Sequence, residues 1–462
     1  MRPRRLSLEV LRQALRERAG VTASELALRL QVSQSTVSRG LAALDGEVAR
    51  IGQTRSARYA LVRSVDRHGS QWPLHRLDDQ GRPEFLGTLQ ALHGGAWFFD
   101  SRQPRPAWLA GEFRQGLFPD LPWFLEDLRP QGFLGRTFVL AYAKDLGAPE
   151  DLSVWRSDHV LAALLRHGDN LPGNLVLGEH ALTLALHDIV EPRDVIHLAD
   201  RADEFLRRAD AALRGRPVGS SAGGEQPKFT ALVQEAPGQY RSTVVKFSEP
   251  IASSASAERW ADLLQCEHLA SQALQAAGIA AAETQTLDAA GRRFLQSTRF
   301  DRTPTLGRRG HVTLRALDAA YLGRGREPWA QMADRLLKQE WIAPECAETI
   351  RTLGLFGELI GNTDMHFGNL AFELGDATPF NLVPSYDMLP MLYAPTSGGA
   401  VVERTLNPPV PLPRLQTAWA RAAHAALGFW NAVEADGAIS DGFRRLASLN
   451  GQSVARWLAR FG

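Results

Sequence analysis

The sequence predicts an α+β protein in which a small basic helical head precedes a larger body whose strands come before its helices. Three observations predict it. Residues 1–63 carry helical apolar spacing followed by a hairpin pattern, two β-rich runs face each other across Pro237-Gly238, and the chain from about 319 onward is helix-rich. With 462 residues the chain is long enough for two or three domains. Its 44% hydrophobic and 22% charged residues exclude wholesale disorder and collagen-like repeats. No apolar run approaches the roughly 18 residues of a membrane span. The basic start, Met1-Arg2-Pro3-Arg4-Arg5, leads into an amphipathic stretch and not an apolar signal core, so a cytoplasmic protein with no membrane partner is expected. Two cysteines, Cys266 and Cys346, build neither a disulfide framework nor a cysteine zinc site.

Charge is unevenly placed. Residues 1–63 hold twelve arginines and five acids, while the whole chain has a net charge of only +1. A basic head on a mildly acidic body points to a polyanion met by the head alone. Within the head, Leu8, Leu11 and Leu15 mark one helix face, and Thr22-Ala23-Ser24-Glu25 is a capping box opening a second helix. Ser33 caps a third helix that turns Val37, Leu41 and Leu44 inward and Gln34, Ser35, Ser38 and Arg39 outward. Those outward groups can reach base edges. Val48–Ile51 and Tyr59–Val62 then flank a turn, a wing with Arg55 and Arg58 near its tip. A winged helix-turn-helix that binds DNA is expected over residues 1–63; the competing reading is a trihelical interaction module.

Residues 64–215 are the least informative. Turn signals alternate with short apolar runs, Ala96–Phe99 and Leu175–Leu177, and helices are expected near 136–145 and 157–166. An N-terminal α+β subdomain is the expectation. His167, His180, His187 and His197 lack metal-ligand spacing.

Chemistry concentrates beyond residue 216. The run Gly219 to Lys228 is rich in small residues, with Ser220, Ser221, Ala222, Gly223 and Gly224, but is neither a Walker A loop nor G-x-G-x-x-G. It precedes the strand Phe229–Val233, a turn, and a returning strand that carries Lys246. A loop, a hairpin and a strand lysine are the order of parts in a kinase-type nucleotide lobe, where loop amides cover phosphates and the lysine neutralises them. The lysine needs an acidic partner, and the helical segment from about Ala257 to Ala277 offers Glu258 or Glu267.

In Gly361 to Asn369, Asp364 and Asn369 stand five residues apart, the spacing of a kinase catalytic base and its metal-binding amide. A carboxylate must accept the proton of the attacking hydroxyl, and an amide oxygen must hold Mg²⁺ beside the phosphates. Asp387, eighteen residues further on and expected at a strand end, is a second metal ligand. One such pair is common by chance; Lys246, Asp364, Asn369 and Asp387 in this order are not.

Ser220-Ser221-Ala222-Gly223 with Lys228, Val245-Lys246, Arg299-Phe300-Asp301-Arg302, the segment Gly361 to Asn369 and Tyr386-Asp387 together resemble the HipA-like serine/threonine kinases, toxins of bacterial toxin–antitoxin systems. The resemblance spans about 72–455 and implies a two-lobed kinase-like core that uses ATP and Mg²⁺. It implies Asp364 as base, Asn369 and Asp387 as metal ligands, and Lys246 on the phosphates. His366 would replace the phosphate-facing lysine that many kinases place there, and Ser221, Ala222, Gly223, Gly224 and Lys228 would belong to the nucleotide loop. It also implies self-phosphorylation at Ser220, with Ser221 the alternative because this loop is one residue longer than the family's. Partners implied are a protein with a serine or threonine hydroxyl and an antitoxin protein. The family usually carries its DNA-binding part on a separate chain, whereas here a helix-turn-helix is fused in front.

The expected division is a head over 1–63, a subdomain over 64–215, a nucleotide-binding N-lobe over 216–318 and a helical C-lobe over 319–462. Two rival readings stand beside the kinase: a DNA-binding transcription regulator whose body only binds a nucleotide or metabolite, and a small-molecule kinase.

Overall fold

A computed structural model describes residues 6–52, 56–215 and 226–462. Arg55, Ser220, Ser221, Ala222, Gly223 and Gly224 lie outside them.

In the head, Ser7 accepts from the Glu9 amide and caps α1 (Leu8–Glu17). After β1 (Val21–Thr22), the capping box forms: Thr22 Oγ1 accepts from the Glu25 amide, and the Glu25 carboxylate accepts from the Thr22 amide at 2.7 Å. It opens α2 (Ala23–Leu30), and Ser33 then caps α3 (Gln34–Ala43). Leu11, Leu15, Leu26, Val37, Leu41 and Leu44 bury together beneath the three helices. β2 (Val48–Ile51) and β3 (Arg58–Leu61) complete an antiparallel sheet in the order β1-β3-β2. The hairpin's other face sets Ala49, Ile51 and Ala60 against Leu92, Ala96 and Phe98 of the body. Arg63 also forks onto Asp158 at 2.6 and 2.8 Å. The head is docked as well as tethered.

The following unit is an antiparallel sheet of β4 (Gln71–Leu77), β5 (Pro83–Ala91), β6 (Trp97–Ser101), β7 (Leu117–Phe118) and β8 (Leu175–Leu177), ordered β7-β6-β5-β4-β8. α4 (Gly132–Leu146), α5 (Ser157–His167) and α6 (Glu179–Val190) accompany it. The alternation along β4 and β5 sends Trp72, Leu74 and Leu89 into a core that runs on without a break into the C-terminal helices.

The N-lobe is a second sheet, ordered β12-β13-β11-β10-β9. Its elements are β9 (Val195–His197), α7 (Arg201–Leu213), β10 (Lys228–Ala236), β11 (Gln239–Phe247), α8 (Ala255–Ala276), β12 (Thr284–Ala289) and β13 (Arg292–Thr298). The lobe therefore starts before residue 216: β9 runs parallel to β10, and α7 packs Phe205 and Ala209 into the same core as Phe229 and Phe294. A three-residue strand is too short to show a period in the sequence.

The C-lobe contains the pair β14 (His311–Thr313) and β15 (Ala371–Glu373), with α9 (Leu314–Leu317), α10 (Trp329–Lys338), α11 (Pro344–Ile360), α12 (Gln416–Ala435) and α13 (Asp441–Phe461). Trp341, Trp419 and Trp430 are buried core. Asp387 does not end a strand. It follows the isolated bridge between Ala281 and Ser385 and takes a left-handed φ of 56°.

Phe98 is buried at the joint between head and body. Phe98→Ala should cost about 3–5 kcal/mol and speed amide exchange in β2 and β3. Exchange there that stays as slow as in the wild type would show that this joint does not hold the head.

Candidate active site

β10 and β11 pair so that Lys228 lies directly opposite Lys246, which puts both side chains on one face of the sheet. The face is buried: Lys228 is 3% exposed and Lys246 5%. Lys246 Nζ donates to both Glu267 carboxylate oxygens at 2.6 Å and also meets Asp387 Oδ1. Of the two acids the helix offers, α8 turns Glu267 inward and leaves Glu258 exposed. Burial favours the neutral amine of Lys246, but Asp387 and Glu267 hold its ammonium above the ordinary value. Burial pushes the Glu267 carboxyl up to about 7, against the pull of Lys246 and with Asp387 adding to the rise. Burial acts on Asp387 in the same sense, yet Lys246 and Lys228 overcome it and hold that carboxyl at about 2. The salt-bridge geometry favours a charged lysine between charged partners.

α11 ends at Gly361 with a left-handed φ of 77°, and the chain turns into the loop that carries Asp364 and Asn369. Asn362 Oδ1 accepts from the Asp364 amide at 3.0 Å, while its Nδ2 donates to the Asp387 carbonyl at 3.3 Å. Asn369 Nδ2 donates to the Asp364 carbonyl at 3.0 Å, which leaves Oδ1 as the acceptor end of the amide. His366 Nδ1 accepts from the Gly368 amide at 3.0 Å, and Tyr386 donates to the Gly368 carbonyl at 2.8 Å. The loop and the Asp387 segment are thus sewn together at two points. Asp364 and His366 are exposed, and Asn369 is buried.

Lys228, Lys246, Glu267, Asp364, His366, Asn369 and Asp387 all line one cavity of about 460 Å³ between the lobes. The carboxylate of Asp387 and the amide oxygen of Asn369 are hard oxygen donors of the kind Mg²⁺ takes. Among the described residues no three His, Cys, Asp or Glu side chains form a metal cluster. No helix among them is long and apolar enough to cross a membrane.

Two contributors were not assigned from the sequence. Asp127, from the middle unit, accepts from the Thr313 amide and hydroxyl, both at 2.7 Å, and faces Arg315 at 3.4 Å on the cavity wall. Asp301 lies on the same wall and is clamped by Arg299 and Arg302 at 2.8 Å each. Burial opposes its charge, but those two guanidiniums hold its carboxyl far below the ordinary range. The motif containing Asp301 was visible; its role as buried counter-charge was not.

Of the head residues, Gln34, Ser35, Ser38 and Arg39 are exposed along α3. Arg58 is exposed as well, but it opens β3 and donates to the Gly20 carbonyl at 3.2 Å. Its strand partner is Ile51, in the last pair before the turn, so it stands at the turn end of the hairpin, as expected.

The fold and cavity define a HipA-like protein with an α+β kinase-like core. Residues 220–445 match the HipA-like C-terminal domain, and residues 68–186 match the middle domain of the YjjJ-like toxin. The chain belongs to this family of HipA-like toxins. It is 36% identical over 431 residues to Toxin YjjJ of Escherichia coli (strain K12), covering 92% of this chain and 93% of that one. Among solved structures, it is similar to a chain of the Shewanella oneidensis MR-1 toxin–antitoxin complex of HipA, HipB and its operator DNA. There the TM-score is 0.53 at 15% identity, over 84% of this chain and 97% of that one. At that identity the likeness is one of fold.

Asp301→Asn would leave Arg299 and Arg302 buried without their carboxylate, at a cost of about 3–5 kcal/mol. Because the native carboxyl is held low, its contribution is fully present above the unfolded value of about 3.9 and is lost as pH falls below it. Urea unfolding of both proteins should show a wide gap at neutral pH that narrows near pH 3. A gap independent of pH would refute the electrostatic account.

Proposed function

We propose that the protein is a serine/threonine protein kinase that uses ATP and Mg²⁺, and that its head binds DNA. The observation that carries the kinase reading is the convergence of Lys246, held by Glu267, with Asp364, Asn369 and Asp387 in one interlobar cavity. In this reading the Asp364 carboxylate accepts the proton of the attacking serine or threonine hydroxyl. Lys246, positioned by Glu267, contacts the ATP phosphates, and Lys228 adds positive charge from the neighbouring strand. Asn369 Oδ1 and Asp387 would hold Mg²⁺, which when bound neutralises charge on the transferring phosphoryl group. His366, with Nδ1 engaged by Gly368, would offer its other ring nitrogen to the phosphate oxygens. Phosphorylation of Ser220, or of Ser221 beside it, would bring nearly two negative charges to a site that binds phosphates and so switch the enzyme off.

The head reading rests on the basicity of residues 1–63 and on the exposed polar face of α3. Gln34, Ser35, Ser38 and Arg39 would meet base edges, with Arg55 and Arg58 on the wing side. The solved relative stands in a complex with HipB and operator DNA, which supports an antitoxin and DNA as partners here. Fusion of the head to the toxin chain would place the DNA contact in the same molecule.

Intact-mass analysis with ATP and Mg²⁺ should show a gain of one or more phosphates, and Asp364→Ala should abolish it. Phosphate uptake that persists in Asp364→Ala refutes the role of the base. DNA binding without any phosphate uptake by the wild type selects the transcription-regulator reading. In anisotropy titrations against duplex DNA, Arg39→Ala should weaken binding and lower the salt slope by about 1 if the contact is to phosphate. Unaltered affinity and slope would exclude α3 from the interface.

A further inference from the structure

A second cavity, of about 510 Å³, lies between the middle unit and the N-lobe, and none of Asp364, Asn369 or Asp387 lines it. Arg208, Arg299, Arg302 and Arg308 do. Arg302 is saturated: it donates to the carbonyls of Gly173, Asp301 and Leu171, to Asn170, and to Asp301 Oδ2. Arg308 is not. It is only 5% exposed, one of its terminal nitrogens donates to the Asp169 carbonyl, and Nη1 has no hydrogen-bond partner. Arg208, also 5% exposed, has Nε in the same condition.

The nearby acids do not answer this demand. Asp301 is taken by Arg299 and Arg302, Asp169 and Asp188 pair with Arg193, and Asp194 pairs with Arg208 through another nitrogen; Glu204 stands 3.8 Å from Arg208 Nε, beyond hydrogen-bond reach, and is held by Arg207. Burial, followed by repulsion from Arg299, lowers the Arg308 guanidinium to about 10, against the pull of Asp301, Asp169 and Asp188. A buried guanidinium edge with an unused donor calls for an anion, and guanidinium geometry matches the oxygens of a phosphate.

One stretch of the remaining wall is aromatic and aliphatic. The Tyr142 and His167 rings lie 4.2 Å apart between centroids, Phe138 meets His167 edge-on, and Leu184 and Ile189 add aliphatic surface. Burial keeps His167 below its ordinary value, so at neutral pH its ring is uncharged. The volume is many times the ~30 Å³ share of one water molecule, far more than a bare oxyanion fills.

We propose that this cavity is a binding site for a small phosphate monoester that carries a ring. The phosphate would lie against Arg308 and Arg208, and the ring against Tyr142 and His167. Thr230 and Arg299 line both this cavity and the catalytic one, so its occupant would bear on a wall of the catalytic cleft. The proposal does not depend on the kinase reading, since it concerns binding and not phosphoryl transfer.

Phenyl phosphate, titrated calorimetrically into the full chain without nucleotide, tests it. Saturable binding to one site is expected, weakened at least about tenfold in both Arg308→Gln and Tyr142→Ala, or about 1.4 kcal/mol. It should be unchanged in Lys246→Met, and phenol or inorganic phosphate alone should bind at least tenfold more weakly. If Arg308→Gln fails to fold by circular dichroism, the half-buried Tyr142 decides through Tyr142→Ala. The proposal is overturned if the wild type shows no saturable binding. It is overturned equally if binding is lost in Lys246→Met but kept in Tyr142→Ala, or if inorganic phosphate binds as tightly as phenyl phosphate.

Discussion

The cleft between the lobes depends on a quartet of charges, three of them buried. Lys246 lies between Glu267 and Asp387, and Lys228 stands opposite it in register, so two cations and two carboxylates share one largely enclosed space. Each member comes from a different element: β10, β11, α8 and the segment after the Ser385 bridge. A buried charge is tolerable only while its partner is present. The quartet therefore fixes the hairpin, the long helix and the C-lobe loop relative to one another more strictly than their apolar contacts do. The left-handed backbone at Asp387 belongs to the same constraint. A short polar side chain is one of the few that accept such a conformation, and here it turns the carboxylate back to the lysine.

Away from the cleft, the body is tied together by long-range polar clamps as much as by its core. Asp127 reaches from the middle unit to β14, and the Arg299–Asp301–Arg302 cluster holds carbonyls of the 170–173 loop. These bonds join segments more than a hundred residues apart. They make the middle unit part of the wall of the interlobar cavity and not an appendage to it.

This pattern explains what the sequence could and could not reveal. That Lys246, Asp364, Asn369 and Asp387 line one cavity was foreseeable because their residue types stand at short, recognisable spacings. The three head helices were legible because their caps are local: Thr22 with Glu25, and Ser33. Glu267 could not be separated from Glu258, since α8 buries residues such as Ala257, Asp262, Leu264 and Cys266 around much of its circumference and so shows no single inward face. Asp127 had no local signal at all, because its partners are 186 residues further along the chain. The early start of the N-lobe was hidden for a related reason: β9 has three residues, and only its pairing with β10 gives it a place.

The hidden apolar face of the β2–β3 hairpin has a consequence for whatever α3 grips. Because Ala49, Ile51 and Ala60 are already seated on Phe98 and its neighbours, the bearing of that helix is settled when the chain folds. A ligand that bound the head would meet a helix already packed at a set angle to the rest of the molecule. It gives up no freedom of one domain swinging against another, and any tug on it is felt directly by the sheet beneath.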